Sequence, residues 1–430
     1  MKNIYKVQKY LLLIAGSMII KSCNNNIQNT QNQLERWTEE KAWEWYNKQP
    51  WLIGTNFISS SAINQLEFWQ EDTFDPDLID KELALSASIG MNTHRVFLHD
   101  LLWEQDSLGF IERIDKYLTI SDKHGIKTMV VFFDGVWHPL PKLGKQPEPI
   151  PHVHNSGWVQ SPGAKLLRDT LAYGRLESYV KGIVKHFAND ERVLIWDIYN
   201  EPGQLGIASH DISKEKATQL YKKIGVEINE ENYHSYDLRQ IDDRSNKQYF
   251  TLKLLQNAVR WVRSMNPSQP ITTGIYDWNT DWGNFEELSD LDQFILSSSD
   301  IISFHEYGDK ASGIKRIDQL IQYNRPLMCT EYLNRGNNSG GWNDEYEGNT
   351  FYAYLPLFKK HKVAAYNWGF VSGKTNTIYP WKSWDSTYFS PPAQWHHDIY
   401  DENLEPFSNK EVEFIKQTIY SIDNEKGSNK

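Results

Sequence analysis

Short apolar runs alternate along the chain with longer segments whose apolar residues recur at helical spacing. An apolar run that is rich in β-branched and aromatic side chains and bounded by turn residues is typical of a buried strand in a parallel sheet. After a short amphipathic helix at 36–49, this pattern predicts eight strands with helices between them. The predicted strands are 51–57, 92–98, 127–133, 193–201, 271–276, 300–307, 326–332 and 364–370.

The alternation of strands and helices predicts the fold class. Eight βα units in a single domain, residues 36–425, favour an α/β fold of the (β/α)8 TIM-barrel type. A doubly wound open sheet is the alternative, but no glycine-rich phosphate turn follows the first strand, which disfavours it. Two segments interrupt the pattern: a loop at 134–170 rich in Pro, Gly, Trp and His, and a polar, acidic insertion at 204–245.

The first residues have the pattern of an export signal. Lys2, Lys6 and Lys9 precede an apolar stretch at 11–20 that is too short to span a bilayer as an ordinary helix. The sequence therefore predicts a signal peptide at 1–22.

A lipidation site follows this stretch, because Ile20-Lys21-Ser22-Cys23 resembles a bacterial lipobox in which Cys23 is lipidated after cleavage. Residues 23–35, rich in Asn and Gln, are then predicted to form a flexible tether. We expect an exported lipoprotein that is held on the outer membrane or cell surface by its lipid. Cleavage as a plain secretory peptide would instead give a periplasmic or secreted protein.

Charge and composition narrow the class of partner. Asp and Glu number 56 against 45 Lys and Arg, for a formal charge of −11, and the absence of a basic stripe argues against nucleic acid. An acidic chain also disfavours anionic polysaccharides, whereas 17 Trp suit a neutral sugar because flat rings line sugar clefts. Cys329 lies in an apolar strand and is expected to be a core residue, and with Cys23 acylated no disulfide can form.

Polar and aromatic side chains recur where the predicted strands end. In a (β/α)8 barrel these ends meet on one face, where the active site lies. Stability alone does not require such residues at one level, so they are candidates for a common site. They are Arg95, Asp134, Glu201, Tyr276, His305, Tyr307, Glu331 and Trp368.

Two of these residues, Glu201 and Glu331, are glutamates placed where a buried strand gives way to a loop. Cleavage of a glycosidic bond needs an acid that protonates the departing oxygen and a carboxylate that stabilises the anomeric centre. A structural salt bridge is the alternative for either glutamate alone. Two glutamates in similar strand-end contexts favour an acid/nucleophile pair.

Four short motifs surround the candidate residues: Asn200-Glu201-Pro202, His305-Glu306-Tyr307, Thr330-Glu331-Tyr332 and Trp368-Gly369, accompanied by Arg95. Together they resemble the retaining glycoside hydrolases of clan A, closest to family 5 (cellulase-like). The resemblance covers residues 50–405 in order and spacing. It implies that Glu201 is the acid/base and Glu331 the nucleophile.

By the same resemblance, further residues support the pair. Arg95 and Tyr307 would orient Glu331, since a guanidinium and a phenol donor hold a carboxylate ionised and in place. The other implied roles are Asn200 as donor to the sugar 2-hydroxyl, His305 beside Glu201, and Trp368 as the floor under the reacting sugar.

The third strand departs from the family pattern. Family 5 usually has a His at the end of this strand, whereas Asp134 stands at that level here. His138, a little further along the loop, is a candidate to take the place of that His. The departure also makes a sister family within the clan an alternative.

The residues and the resemblance together predict a retaining β-glycoside hydrolase for neutral β-linked glycans or oligosaccharides of xylan, glucan or mannan type. We expect no cofactor and no metal, because no carboxylate and no suitable third-ligand spacing completes a metal site around the loop residues His138, His152 and His154. The alternatives are a non-catalytic glycan-binding lipoprotein on the same barrel and a clan-A transglycosylase. The sugar, the linkage, exo or endo action and the oligomeric state stay open.

Overall fold

A computed structural model describes residues 35–204, 244–335, 345–384 and 386–421. Within these residues, nine strands form one parallel sheet. The strands are β1 (Ile53–Asn56), β2 (Thr93–Phe97), β3 (Lys127–Asp134), β4 (Val193–Asn200), β5 (Ile271–Thr272), β6 (Gly274–Ile275), β7 (Ile302–His305), β8 (Leu327–Tyr332) and β9 (Ala364–Trp368). Their order in the sheet is β5-β4-β3-β2-β1-β9-β8-β7-β6.

The sheet closes on itself because β5 and β6 share one position. β5 pairs with β4 and β6 pairs with β7, and only Thr273 separates these two short strands in the chain. The nine strands therefore occupy eight positions in chain order, with β9 beside β1. This arrangement confirms the predicted (β/α)8 TIM barrel and excludes the open sheet. The strand predicted at 271–276 differs only in being broken at Thr273.

Helices surround the barrel, and polar side chains at their first turns accept hydrogen bonds from backbone N–H groups that would otherwise lack partners. Asp75, Asp309 and Ser408 cap their helices in this way. The α-helices among the described residues are α1 (Glu39–Asn47), α2 (Gln65–Trp69), α3 (Pro76–Ser88), α4 (Asp100–Lys123), α5 (Ala164–Arg168), α6 (Tyr173–Phe187), α7 (Arg244–Ser264), α8 (Asp290–Ser298), α9 (Lys310–Ile321), α10 (Phe351–His361) and α11 (Asn409–Tyr420).

The main hydrophobic core lies between the barrel and its helices, and Cys329 is fully buried in it. A second cluster fills the base of the barrel, where Met129 and Met328 meet Ala42 and Tyr46 of α1. Full burial of a large apolar side chain contributes about 1.5–3 kcal/mol. Because α1 closes the base, the carboxyl ends of the strands are left to form the functional face.

Several predicted segments lie outside the described residues. They are the signal peptide at 1–22, the lipidation residue Cys23, the tether up to residue 34, and residues 205–243 of the polar insertion. In the part of the chain that the structure describes, no helix combines the length and the apolar character that crossing a membrane requires.

Candidate active site

Two glutamates and a histidine meet at the carboxyl ends of three strands. Glu201 follows β4, His305 ends β7 and Glu331 lies near the end of β8. One carboxylate oxygen of each glutamate and one ring nitrogen of His305 all lie within 4.8 Å of one another. His305 Nδ1 is 2.7 Å from Glu201 Oε1 and 3.4 Å from Glu331 Oε2. The structure thus brings the two predicted glutamates together across the mouth of the barrel.

The backbone at Glu201 is held in an uncommon conformation. Its φ is 43°, in the left-handed region that residues other than glycine rarely adopt. The loop after β3 lies directly against it, and a Cβ on Gly135 would come 2.4 Å from the carbonyl oxygen of Glu201, so only glycine fits there. Backbone strain of this kind costs about 1–3 kcal/mol and concentrates at functional sites.

Glu331 is held by two donors from neighbouring strands. Arg95 Nη1 donates to Glu331 Oε1 and the Tyr307 hydroxyl donates to Glu331 Oε2, each over 3.0 Å. Because both oxygens are engaged, the rotamer of the carboxylate is fixed. Arg95 and Tyr307 therefore lie against Glu331, where the resemblance implies them.

Arg95 is fully buried and is shared among side chains of several strands. Its Nε and Nη2 bind Asp197 Oδ2 at 2.9 and 2.8 Å, while Nη1 donates to Asn56 Oδ1 at 2.9 Å and Nη2 to Asn200 Oδ1 at 2.7 Å. Asp197 and Asn56 were not among the residues that the sequence predicted for the site. A signal was present, because Asp197 interrupts an apolar strand and a buried carboxylate requires a cationic partner.

Burial shifts the pKa values of Glu201, Glu331 and His305. It raises the pKa of Glu201 to about 7, against the opposing effects of a hydrogen bond from Gln204 and of the charge of Arg95. Burial also raises the pKa of Glu331 to about 7, with His305 and Arg95 opposing and the charge of Glu201 adding to it. Burial lowers the pKa of His305 to about 4, so the imidazole is neutral at neutral pH. Two close carboxyls with raised pKa values share one proton near neutral pH.

Asp134 ends β3 and holds Asn200. The Asn200 amide donates to Asp134 Oδ1 at 3.1 Å, and the backbone N–H of Val136 donates to the same oxygen at 3.0 Å. Trp158 Nε1 and Gln65 Nε2 donate to Oδ2 at 2.7 and 3.2 Å. Burial raises the pKa of this carboxyl to about 7. Four donors engage the two oxygens of Asp134, and Asp134 in turn fixes the position of Asn200. Its side chain is therefore not free to take the place of the His that family 5 usually has at the end of this strand.

His138 belongs to the loop that carries Trp158. Its backbone N–H donates to the Trp158 carbonyl at 3.0 Å and its carbonyl accepts from the Gln160 N–H at 2.9 Å. Its Nδ1 accepts from the Leu140 N–H at 3.2 Å. These contacts tie His138 to the folding of its own loop, which brings the indole of Trp158 to Asp134.

Trp368 ends β9 and anchors an aromatic cluster at the barrel mouth. Its ring meets those of Phe97 and Trp158 edge-on, with centroids 5.8 and 5.5 Å apart. Tyr307, which donates to Glu331, packs against the same cluster. Through Tyr307 the cluster adjoins Glu331, and its rings provide flat apolar surface of the kind that suits the C–H face of a sugar.

Among the described residues, Glu201, His305 and Glu331 are also the group whose donor atoms converge closely enough to hold a metal ion. The Arg95 guanidinium already lies 3.0 Å from Glu331, and this fixed positive charge disfavours a second cation there. Proton transfer between two carboxyls is the chemistry that these contacts favour.

Comparison with known proteins adds the family. The Cellulase family model (glycosyl hydrolase family 5) matches residues 76–372, which is more than half of the chain. An exo-β-1,4-mannosidase from Opitutaceae bacterium strain TAV5 superposes with a TM-score of 0.51 at 15% identity, covering 86% of this chain and 58% of that one. The β-glucosidase 1317 superposes with a TM-score of 0.51 at 11% identity, covering 87% and 99%.

A β-mannanase from the blue mussel Mytilus edulis has a TM-score of 0.48 at 16% identity, covering 87% of this chain and 93% of that one. None of the curated proteins compared with the chain matches it. At these identities the superpositions at 0.51 support the barrel fold alone. The family match includes both glutamates, and on that ground the chain is an O-glycosyl hydrolase that belongs to glycosyl hydrolase family 5.

Proposed function

We propose that the enzyme is a retaining β-glycoside hydrolase that cleaves neutral β-linked glycans, or their oligosaccharides, by double displacement. The observation that carries this proposal is the closeness of the two carboxyls, since one oxygen of Glu201 and one of Glu331 lie within 4.8 Å. Retaining enzymes separate their carboxyls by roughly 5–5.5 Å and inverting enzymes by roughly 6.5–9.5 Å, the wider gap leaving room for water. The close pair favours direct attack by a carboxylate.

The surroundings of the two glutamates support different roles for them. Glu331 accepts hydrogen bonds from Arg95 and Tyr307, which stabilise its ionised form, and we assign it as the nucleophile. The closest partner of Glu201 is the neutral imidazole of His305, which carries no charge to stabilise a carboxylate, and we assign the shared proton to Glu201. Glu201 is therefore the acid/base.

The proposed reaction has two steps, formation of a covalent glycosyl-enzyme intermediate and its hydrolysis. In the first, a Glu331 oxygen bonds to the anomeric carbon while the glycosidic C–O bond breaks, and the departing oxygen takes the proton of Glu201. In the second, Glu201 removes a proton from water, the water oxygen bonds to the anomeric carbon, and Glu331 leaves as a carboxylate. Asn200, fixed between Arg95 and Asp134, is proposed to donate to the sugar 2-hydroxyl.

Neutral sugars of the glucan, xylan or mannan type are the proposed substrates. The formal charge of −11 disfavours polyanions. The aromatic cluster around Trp368 offers apolar ring surface to the C–H faces of a pyranose. Both features fit an uncharged ring more closely than an acidic one.

The stereochemistry of the first product tests the mechanism. Proton NMR of a β-glycoside digest at early times should detect the β-anomer of the released sugar before mutarotation, and release of the α-anomer would refute double displacement. Glu201→Ala and Glu331→Ala should each lose turnover, and azide should restore it in at least one of them. Glu112→Ala, an exposed glutamate on the outer helix α4, is the matched control and should keep full activity.

We further propose that the enzyme is an exported lipoprotein attached through Cys23, on the strength of the lipobox-like residues alone. Cells expressing the full chain should incorporate labelled fatty acid into the protein and retain it in the membrane fraction. Cys23→Ser should lose the label and move to the soluble fraction. Labelled Cys23→Ser protein would contradict the assignment.

A further inference from the structure

Trp368 lies directly across the barrel from Glu201. The sheet has eight positions, and β9, which ends at Trp368, is four positions from β4, which precedes Glu201. The leaving group must lie on the side of the proton donor, so the sugar unit that is cleaved lies toward Glu331 and Trp368. Any further unit on the non-reducing side would extend past Trp368, over β9 and β1.

That side of the mouth is bounded by an aromatic wall formed by Trp137, Trp381 and Trp384, each half-buried. Trp137 follows β3, and the other two belong to a 3-10 helix after β9. The ring centroids of Trp137 and Trp384 are 4.8 Å apart, and Trp384 stacks with Trp381 at 6.3 Å. Trp381 meets Tyr307 edge-on at 5.0 Å, and Tyr307 donates to the nucleophile. The wall therefore begins at the active site and continues to the loop after β3.

Hydrogen bonds join the loops that carry the aromatic wall. Between the loops after β3 and β9 they run from Asn155 N to Thr375 O (2.8 Å), from His154 N to Ser383 Oγ (3.0 Å), from Trp384 Nε1 to His154 O (2.9 Å) and from Asn376 Nδ2 to Ile150 O (3.1 Å). The loop after β9 also meets the loop after β1, where Lys374 N donates to Ser60 O at 3.0 Å. A Cβ on Gly373 would lie 2.1 Å from that same oxygen. The loops thus support one another as a fixed part of the mouth.

The space between Trp368 and these loops is almost filled. A cavity of about 20 Å³ remains there, lined in part by Asn155, Trp158, Thr377 and Asp398. This volume is close to that of one water, whereas pockets for small molecules begin at roughly 300 Å³. Asn155 Oδ1 is buried and has no hydrogen-bond partner among the described residues, which suits a bound water. Among the described residues, the cavity behind Trp368 is therefore too small for a second sugar unit.

We propose that the cleft is blind on the non-reducing side and that the enzyme is exo-acting, removing one sugar unit at a time. Trp137, Trp381 and Trp384 are then the residues that determine this specificity. The inference rests on the proposed function, because Glu201 as proton donor sets the direction of the substrate. The substrates are accordingly chain ends, short oligosaccharides and aryl β-glycosides of neutral sugars, and not the interior of a polymer.

The order of the products tests the blind cleft. The purified enzyme is incubated with hexaoses of β-linked glucose, mannose and xylose that carry a fluorescent label at the reducing end. The expected first products are the labelled pentaose and one free monosaccharide, followed by the labelled tetraose. A labelled disaccharide or trisaccharide ahead of the pentaose would overturn the blind cleft and leave the hydrolase function standing. If the enzyme cleaves none of the hexaoses and none of the aryl glycosides of these sugars, the proposed function itself is overturned.

A double variant tests the wall. In Trp381→Ala/Trp384→Ala the cleft is open past Trp368, so internal cleavage products should appear, and kcat/KM for an aryl glycoside should fall about tenfold with the lost ring contacts. Trp43→Ala, at the opposite end of the barrel on α1, is the matched control and should keep the pentaose-first order. If circular dichroism finds the double variant unfolded, the single variant Trp384→Ala replaces it, and here too internal products are expected. A folded wall variant that keeps the strict pentaose-first order would refute the role of the wall.

Discussion

Tyr307→Phe should shift the acidic limb of the pH profile of kcat/KM. The phenol donates to Glu331 at 3.0 Å, and the Glu331 side chain is only 7% exposed, so solvent cannot replace the bond. A hydrogen bond to a charged group is worth about 1.5–3 kcal/mol, and one pKa unit corresponds to about 1.4 kcal/mol. Losing a donor to the ionised form therefore raises the pKa of Glu331 by about 1–2 units.

The consequence for activity follows from the roles of the two glutamates. Double displacement needs Glu331 ionised and Glu201 protonated, so kcat/KM follows a bell whose acidic limb belongs to Glu331. Both carboxyls have pKa values raised to about 7, which centres the bell near neutral pH. In Tyr307→Phe the acidic limb should move up by about 1–2 units, with about 10–100-fold lower kcat/KM below neutral pH.

The assay is kcat/KM for an aryl β-glycoside across the pH range, in wild type and variant. Tyr332→Phe is the matched control: it lies next to Glu331 in β8, but its ring packs outward against α10 and its hydroxyl has no hydrogen-bond partner in the described part of the chain. The control should keep the wild-type limbs. An acidic limb that stays in place in Tyr307→Phe would refute the assignment of Glu331 as the ionised group.

Three further substitutions distinguish residues that act on the charge of Glu331 from residues that act on position or stability alone. Asp197→Asn removes the fully buried counter-charge of Arg95, so the free energy of unfolding in urea should fall by about 3–5 kcal/mol. The acidic limb should move to lower pH, because Glu331 is then the one carboxylate among the described residues that is paired with Arg95. A limb that moves to higher pH would contradict this. Asp134→Asn loosens Asn200 and should lower kcat by about 100-fold. Arg263→Ala breaks a buried ion pair at the base and should cost about 3–5 kcal/mol of stability in urea while the pH profile stays unchanged.

The sequence predicted the barrel and the two glutamates that meet at its mouth because both depend on local patterns. Apolar strand runs alternating with helices define the fold class, and Glu201 and Glu331 stand at the ends of two such runs. A parallel barrel brings every strand end to one face, so nearness in space followed from topology without any knowledge of the contacts.

What the sequence did not predict depends on contacts between distant segments. Asp197 shares Arg95 with Glu331 only because β2, β4 and β8 face one another across the barrel interior. Asp134 stands where the family has a His, yet its four donors include Trp158, from the loop after β3, and Gln65, the first residue of α2. The aromatic wall likewise requires the loops after β3 and β9 to meet, which no local pattern encodes.

The identity of the nucleophile is the central claim, and trapping the covalent intermediate tests it most directly. A 2-deoxy-2-fluoro-β-glycosyl fluoride of the preferred sugar slows the second step, so the glycosyl group accumulates on the attacking carboxylate. Mass spectrometry of the intact protein should detect one added glycosyl group, and peptide mapping should locate it on Glu331. An adduct on Glu201, or turnover of the parent substrate to the inverted anomer with no adduct on any residue, would contradict the mechanism.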